Sequence, residues 1–481
     1  MKNTWKKHQR AGRAAGRRLR RLRVVMERDA SQNTLVIITG FLVGLFTGSI
    51  AAALKLLVSM VNELCLLGID TDVPNWPILL YPLAGVAITA LFQRYVVGRQ
   101  CSRGTYLIRR HIDSGDSRIS PFMMFDPMIG CSVTIGMGAS GGTEGPVALC
   151  GSAVGSNVAR ALRLTPLWDR LMMAIGAGAG IAAIFKAPMG GVLFALEVLQ
   201  MEFTTIPMIA LVLACILASS TASLFSNFTL DIDFYQSMRI DVSLMGWVAL
   251  LGVLCGLYCI YFNYTKNRTA GCFLGMRNRV WAALGSGALL SVSAFVFPAL
   301  FGTGMDVVED LINGRSAEFL AGGLFTGHSG EWGWVVFAAV GMLLLKGALV
   351  GAAYSGGGIS GDFVPTLFAG CVLGFLFGQG MNTVFGMHMP VWYFCLMGMA
   401  AVMAGTVHAP LMAIFILCET TDTSGYLVAY LVAVALCYAT VKVVTPKSWY
   451  AETGHDDMIM IRMWKKTPEI KISGRRPRDR K

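Results

Sequence analysis

Apolar and polar positions along this chain fall into long blocks rather than short alternations. Runs free of formal charge extend over Thr34 to Leu54, Pro77 to Gln93, Thr204 to Leu230, Val242 to Tyr264, Val280 to Met305, Gly333 to Leu345 and Ser424 to Val441. Some reach the roughly 20 residues that a membrane-spanning helix needs, while others fall short or are cut by Gly and Pro. With 55 glycines in 481 residues, the pattern predicts helices that stop and restart at membrane depth. Such breaks are tolerated only where the freed backbone lines a protein-walled cavity.

Composition narrows the class. The chain is 55% hydrophobic and 14% charged, with a mean hydropathy of +0.59, which excludes an ordinary soluble globule. The net charge of +12 is concentrated in "KNTWKKHQRAGRAAGRRLRRLR" near the start and "RMWKKTPEIKISGRRPRDRK" at the end. Beside transmembrane helices the positive-inside tendency accounts for both tails without nucleic acid, and predicts two cytoplasmic termini and an even number of crossings. The first apolar run is too long and too far in for a cleaved signal peptide. The 12 cysteines are scattered singly, without CxxC or metal-ligand spacing, and read as small buried hydrophobes. The predicted organisation is a basic N-terminal tail over 1–33, one all-α polytopic membrane domain over 34–450 and a basic C-terminal tail over 451–481.

Within that domain the sequence repeats. "AAIFKAPMGGVLFALE" (Ala182 to Glu197) aligns with "AGTVHAPLMAIFILCE" (Ala404 to Glu419), so that Pro188 meets Pro410 and Glu197 meets Glu419, each 222 positions apart. "GTEGPVALCGSAVG" (Gly142 to Gly155) aligns with "GDFVPTLFAGCVLG" (Gly361 to Gly374) at a constant 219. Two copies in the same order, about 34–230 and 240–450, with broken helices in matching places, predict a site near midplane where the halves meet.

The chemistry follows from the breaks. A helix that starts inside a membrane presents unpaired N–H groups and about half a positive charge, and glycines before it let a ligand approach the backbone. "GTEGP" and "GDFVP" both have this form, so the repeat supplies two anion-attracting helix starts. Glu144 sits where an anion would sit. Its carboxylate occupies the site when ionised and vacates it when protonated; burial favours the neutral form and the helix start the charged one, which suits a proton-linked switch. A glutamate that merely caps its own helix is the structural alternative.

These residues resemble a known family. "GTEGP" resembles the GREGP element of the CLC chloride channels and chloride/proton antiporters, "FKAPMGGVLFALE" is similar to their FxAPxGGxLFxxE segment, and "GDFVP" to their GxFxP element. The resemblance implies a CLC-like inverted repeat of broken, tilted helices, and a homodimer with one pore per subunit in a plasma (inner) membrane. It makes Glu144 the gate and implies an anion site for chloride or a similar ion at the backbone of Gly145, Phe363 and Val364. The family's GSGIP serine corresponds to Thr105 in "GTYLI", where Tyr106 and Leu107 narrow the inner vestibule. The GxxLI form is similar to the fluoride-exporting branch, which keeps fluoride open. A family tyrosine that reaches the central anion corresponds to Tyr450.

Coupling to protons departs from the family pattern. Antiporters often carry an inner acid directly after the residue matched by Glu197, and here that residue is Val198. Either the protein is channel-like, or protons reach Glu144 by another route, for which Glu197 and Glu202 are the candidates. Glu202 is placed four residues along the same helix face, with a surface charge as its alternative. Lys186, two residues before the shared proline, is a pore-mouth candidate or a snorkelling surface lysine, and His408 occupies the equivalent place. An intramembrane hydrolase is the rival class, but it would want HExxH, which is missing, or a GxSxG nucleophile with a partner histidine, and the six histidines are mostly dispersed. The sequence implies no cofactor beyond a bound anion.

Overall fold

A computed structural model describes residues 2–67, 76–98, 104–114, 118–202, 204–225, 242–315, 325 and 331–445, with side chains described from residue 32 onward. The first repeat contributes α1 (Lys2–Leu66), α2 (Tyr81–Phe92), α3 (Gly104–Ser114), α4 (Asp126–Gly136), α5 (Glu144–Ala161), α6 (Pro166–Phe185), α7 (Pro188–Leu193) and α8 (Thr205–Phe225). The second contributes α9 (Met245–Leu274), α10 (Arg279–Val296), α11 (Met305–Ile312), α12 (Trp332–Ser355), α13 (Phe363–Phe385), α14 (Val391–Val407), α15 (Pro410–Thr420) and α16 (Leu427–Val444). Among the described residues, nine helical segments are long and apolar enough to cross a membrane, and three further apolar helices are shorter.

Packing repeats as the sequence does. The pair α5 and α6 is matched by α13 and α14, the pair α1 and α8 by α9 and α16, and α7 meets α15 across the halves. Glycine makes this possible. Gly151 on α5 and Gly176 on α6 face each other so closely that a Cβ on either overlaps the other's carbonyl, and Gly370 on α13 and Gly398 on α14 do the same. Gly40, Gly44 and Gly48 lay α1 along Ala210, Ala214 and Ala218 of α8 in the same manner. Between helices in lipid there is no water to expel, so close backbone approach and van der Waals contact carry the association.

Helix ends are placed by local chemistry. Lys186 and His408 take left-handed φ values of 54° and 61°, close α6 and α14, and are each followed by Ala-Pro, whose proline opens α7 or α15. Proline at a first turn sacrifices no hydrogen bond. The exposed N–H groups of these short helices are met from the opposite repeat. The amides of Leu411 and Met412 donate to Glu197 at 3.2 and 2.8 Å, and those of Met189 and Gly190 donate to Glu419 at 3.0 Å each. The two repeat-marker glutamates therefore cap each other's helix, α7 against α15.

Burial puts the repeat-centre helices inside. The apolar window of α6 is 83% buried and that of α13 72%, against 33% for the windows containing α2 and α16, so the latter form the sheath. Replacing Gly151 or Gly370 by Leu is expected to force apart the innermost helix pairs at about 1–3 kcal/mol or more each. The readout is loss of monodisperse detergent-extracted protein and a lower Tm. Gly271→Ala, where nothing lies within 4 Å, is expected to leave both unchanged.

Candidate functional site

The two broken helix starts meet head to head. Gly142 and Gly361 form an antiparallel bridge, the Gly142 amide donating to the Gly361 carbonyl at 2.9 Å and the Gly361 amide to the Gly142 carbonyl at 2.6 Å. These two residues are 219 positions apart, so the bridge lies on the internal two-fold relation between the repeats. Directly after it, α5 begins at Glu144 and α13 at Phe363, again 219 apart.

Glu144 crosses from one helix start to the other. Its side chain is buried, 1% exposed, and Oε1 accepts the Phe363 amide at 2.5 Å. The amides of Val364 and of Glu144 itself also act on the carboxylate. Oε2 is buried with no hydrogen-bond partner among the described residues. The glycines of the bridge are required by this arrangement: a Cβ at Gly142 or at Gly361 overlaps the Glu144 carboxylate. The carboxylate therefore meets both helix starts, its own through the Glu144 amide and that of the opposite repeat through Phe363 and Val364.

The remaining predicted residues fall around this point to different degrees. Gly145, Phe363 and Val364 are buried at the two helix starts, and Gly145 lies against Gly361. Phe363 packs its ring edgewise on Phe194 at 6.0 Å between centroids. Thr105, 7% exposed, begins α3, where Gly104 sits so close to the Gly145 carbonyl that no Cβ fits between them. This brings Thr105 beside the start of α5. Tyr450 lies outside the described residues.

Two proton-path candidates lie elsewhere than the sequence suggests. Glu197 ends in the cap of α15 described above, with both oxygens accepting backbone N–H groups. Glu202 is exposed, and its placement on the same helix face four residues beyond Val198 is corrected by the backbone: the helical turn ends at Val198, and Gln200 takes a φ of 54°, which turns the chain out of the helix. Val198 itself is buried, 4% exposed. Lys186, half-buried at the end of α6, lies within electrostatic range of Lys55 on α1, so positive charge gathers there.

Sequence reasoning missed three charged residues of the second repeat. Lys266 on α9 forms an ion pair with Asp362 at 2.8 Å, its side chain 1% exposed against 20% for the acid. Lys346 on α12 is fully buried, with its ammonium 4.0 Å from the centre of the Phe368 ring. Each lysine directly or almost directly follows an apolar run and was taken as its end. The available signal was that apolar sequence resumes after each, in "TAGCFL" and "GALVGAAYSGGG".

With this geometry in hand, the chain was compared with known proteins. The model of the voltage gated chloride channel family matches residues 84–442. A ClcB-like relative from Ralstonia nicotianae is 28% identical over 79% of this chain and 85% of its own length. An H(+)/Cl(-) exchange transporter, ClcA, from Salmonella typhi is 27% identical over 84% of this chain and 85% of its own. Among solved structures, a slow cyanobacterial Cl-/H+ antiporter superposes with a TM-score of 0.74 at 21% identity, covering 90% of this chain and 98% of the other. A CLC-type fluoride/proton antiporter gives 0.68 at 20% identity, covering 85% and 96%. A family match over most of the sequence, a shared multi-span fold and two helix starts converging on a buried acid lead to one conclusion: this chain is an integral multi-pass membrane protein of the CLC family of anion transport proteins.

Proposed function

We propose that the protein carries chloride or a similar small anion along a path gated by Glu144, in a channel-like or weakly proton-coupled manner. The observation that carries this reading is the Glu144 carboxylate itself, which accepts the Phe363 amide of the opposite repeat and so takes the place an anion would take between two helix starts. An ionised Glu144 excludes the anion; a protonated one loses its attraction to the amides, leaves, and admits it. Thr105 adds a hydroxyl beside Gly145, and the backbone of Phe363 and Val364 supplies amide donors. Tyr450 is proposed as a further anion ligand on the family pattern.

Weak coupling is supported by Val198. A buried valine carries no proton, and Glu197 is engaged in capping α15, so the inner acid of a tightly coupled exchanger has no counterpart at that position. The proposal places the protein in the plasma or inner membrane with both basic tails in the cytoplasm, as a homodimer with one pore per subunit.

Three measurements in proteoliposomes test this. Wild-type chloride efflux is expected to rise as pH falls, and Glu144→Gln to give efflux that no longer depends on pH; a mutant that keeps the wild-type pH response removes the gate assignment. Gly361→Ala, whose methyl overlaps the carboxylate, is expected to displace Glu144 and raise efflux at neutral pH toward the Glu144→Gln level. Under an imposed chloride gradient, proton movement is expected to fall well short of a fixed stoichiometry. Uphill proton flux at a constant ratio assigns the protein to the exchangers instead.

A further inference from the structure

The Asp362–Lys266 pair is not explained by the family elements, whose GxFxP pattern leaves the Asp362 position open. It is also poorly suited to stabilising the fold: removing two charges from water costs about as much as their attraction returns, so a buried ion pair is weak evidence for stability. Its position is more informative. Asp362 is the residue between Gly361, which forms the bridge, and Phe363, whose amide holds Glu144 Oε1. Its counterpart in the first repeat, 219 positions earlier, is the uncharged Thr143. Because the bridge is antiparallel, the two counterparts leave it in opposite directions. At this position, therefore, only the second repeat carries an acid.

We propose that Asp362, held in place by Lys266, is a positioning residue that sets how readily Glu144 gives up the anion site, so that the pH at which the gate opens is fixed by the second repeat. This inference deepens the gating reading above and rests on it.

The physical argument has two parts. Lys266 Nζ clamps Asp362 Oδ2 at 2.8 Å, which fixes the peptide that presents the Phe363 amide. Asp362 adjoins Phe363, whose amide holds the Glu144 carboxylate, and acts electrostatically on Glu144. A negative neighbour disfavours an ionised Glu144 and favours its protonated, open form. Cys131 on α4 faces Glu144. His408 at the end of α14 lies within range of Lys266 and of Lys442 on α16. From α12, Lys346 lies on the Phe368 ring.

The test is chloride efflux against pH in proteoliposomes of the full chain. For Asp362→Asn the proton concentration at half-maximal efflux is expected to rise about tenfold, one pH unit toward acid, with maximal efflux retained. Asp362→Glu is expected to keep the wild-type profile. Because Asp362→Asn strands a buried lysine, the double variant Asp362→Asn/Lys266→Met removes both charges, and is expected to shift in the same direction by a smaller amount. His408→Gln, which leaves the pair intact, is expected to leave the midpoint in place.

A wild-type midpoint in folded Asp362→Asn or in the double variant overturns the proposal, as does failure of both to fold, which assigns the pair to stability. In the Glu144→Gln background Asp362→Asn is expected to have no effect on pH response, and a residual shift there also counts against it. A flat Glu144→Gln profile together with an unmoved Asp362→Asn midpoint sinks this inference while leaving the gate. A pH-dependent Glu144→Gln sinks the gate itself.

Discussion

Four backbone N–H groups at the start of α5 and four at the start of α13 lack intrahelical acceptors, and in this fold the two sets converge inside the membrane domain. Each helix start carries about half a positive charge, so bringing two together calls for roughly one negative charge between them. Beside the Gly142–Gly361 bridge the Glu144 carboxylate supplies it, in a place that a Cβ at either glycine would overlap. On the proposed reading an anion competes for that place, and the competition follows from electroneutrality at a junction of two helices.

Holding that junction together is the task of the rest of the molecule. Two helix starts that repel each other stay in place only if their helices are fixed along their length. The paired glycines of α5 with α6 and α13 with α14 bring the backbones into contact where no side chain could pack. The cross-capping of α7 by Glu419 and α15 by Glu197 ties the repeats a second time. Both devices obey the same offsets of 219 and 222 as the site, and Gly151 with Gly370 and Glu197 with Glu419 stand in the aligned blocks, although their packing and capping roles do not show in the sequence.

What the sequence made legible was therefore whatever the repeat duplicated. Glu144 and the glycines of the two helix starts stand in aligned blocks with a physical reason for each residue type, while Phe363 entered through the family resemblance. Two interior spans, α6 and α13, were absent from the list of apolar runs: α6 begins with "PLWDR" and α13 follows the acid Asp362, and both are rich in glycine because they face protein on nearly every side rather than lipid. Hydropathy reports contact with lipid, and the most buried helices of this fold have the least of it. The role of Glu197 was also hidden, since a carboxylate that caps a helix of the other repeat has the same sequence signature as one that conducts protons. Glu202 was misplaced because a left-handed turn at Gln200, a non-glycine residue, carries no strong local signal.

The charges unique to the second repeat bear on why two nearly equivalent helix starts behave differently. If the halves were strictly symmetric, a carboxylate from each would enter the junction, two like charges would compete for one place, and the two could not both remain ionised there. The chain breaks the symmetry by giving the acid at the helix start to the first repeat, as Glu144, and an apolar residue, Phe363, to the second. The second repeat's own acid is drawn back by one residue to Asp362 and bound by Lys266. The ion pair holds it one residue away from the place that the Glu144 carboxylate takes. An inverted repeat supplies the opposed helix starts, and the departure from symmetry at positions 143, 144, 362 and 363 decides which half provides the occupant and which half biases it.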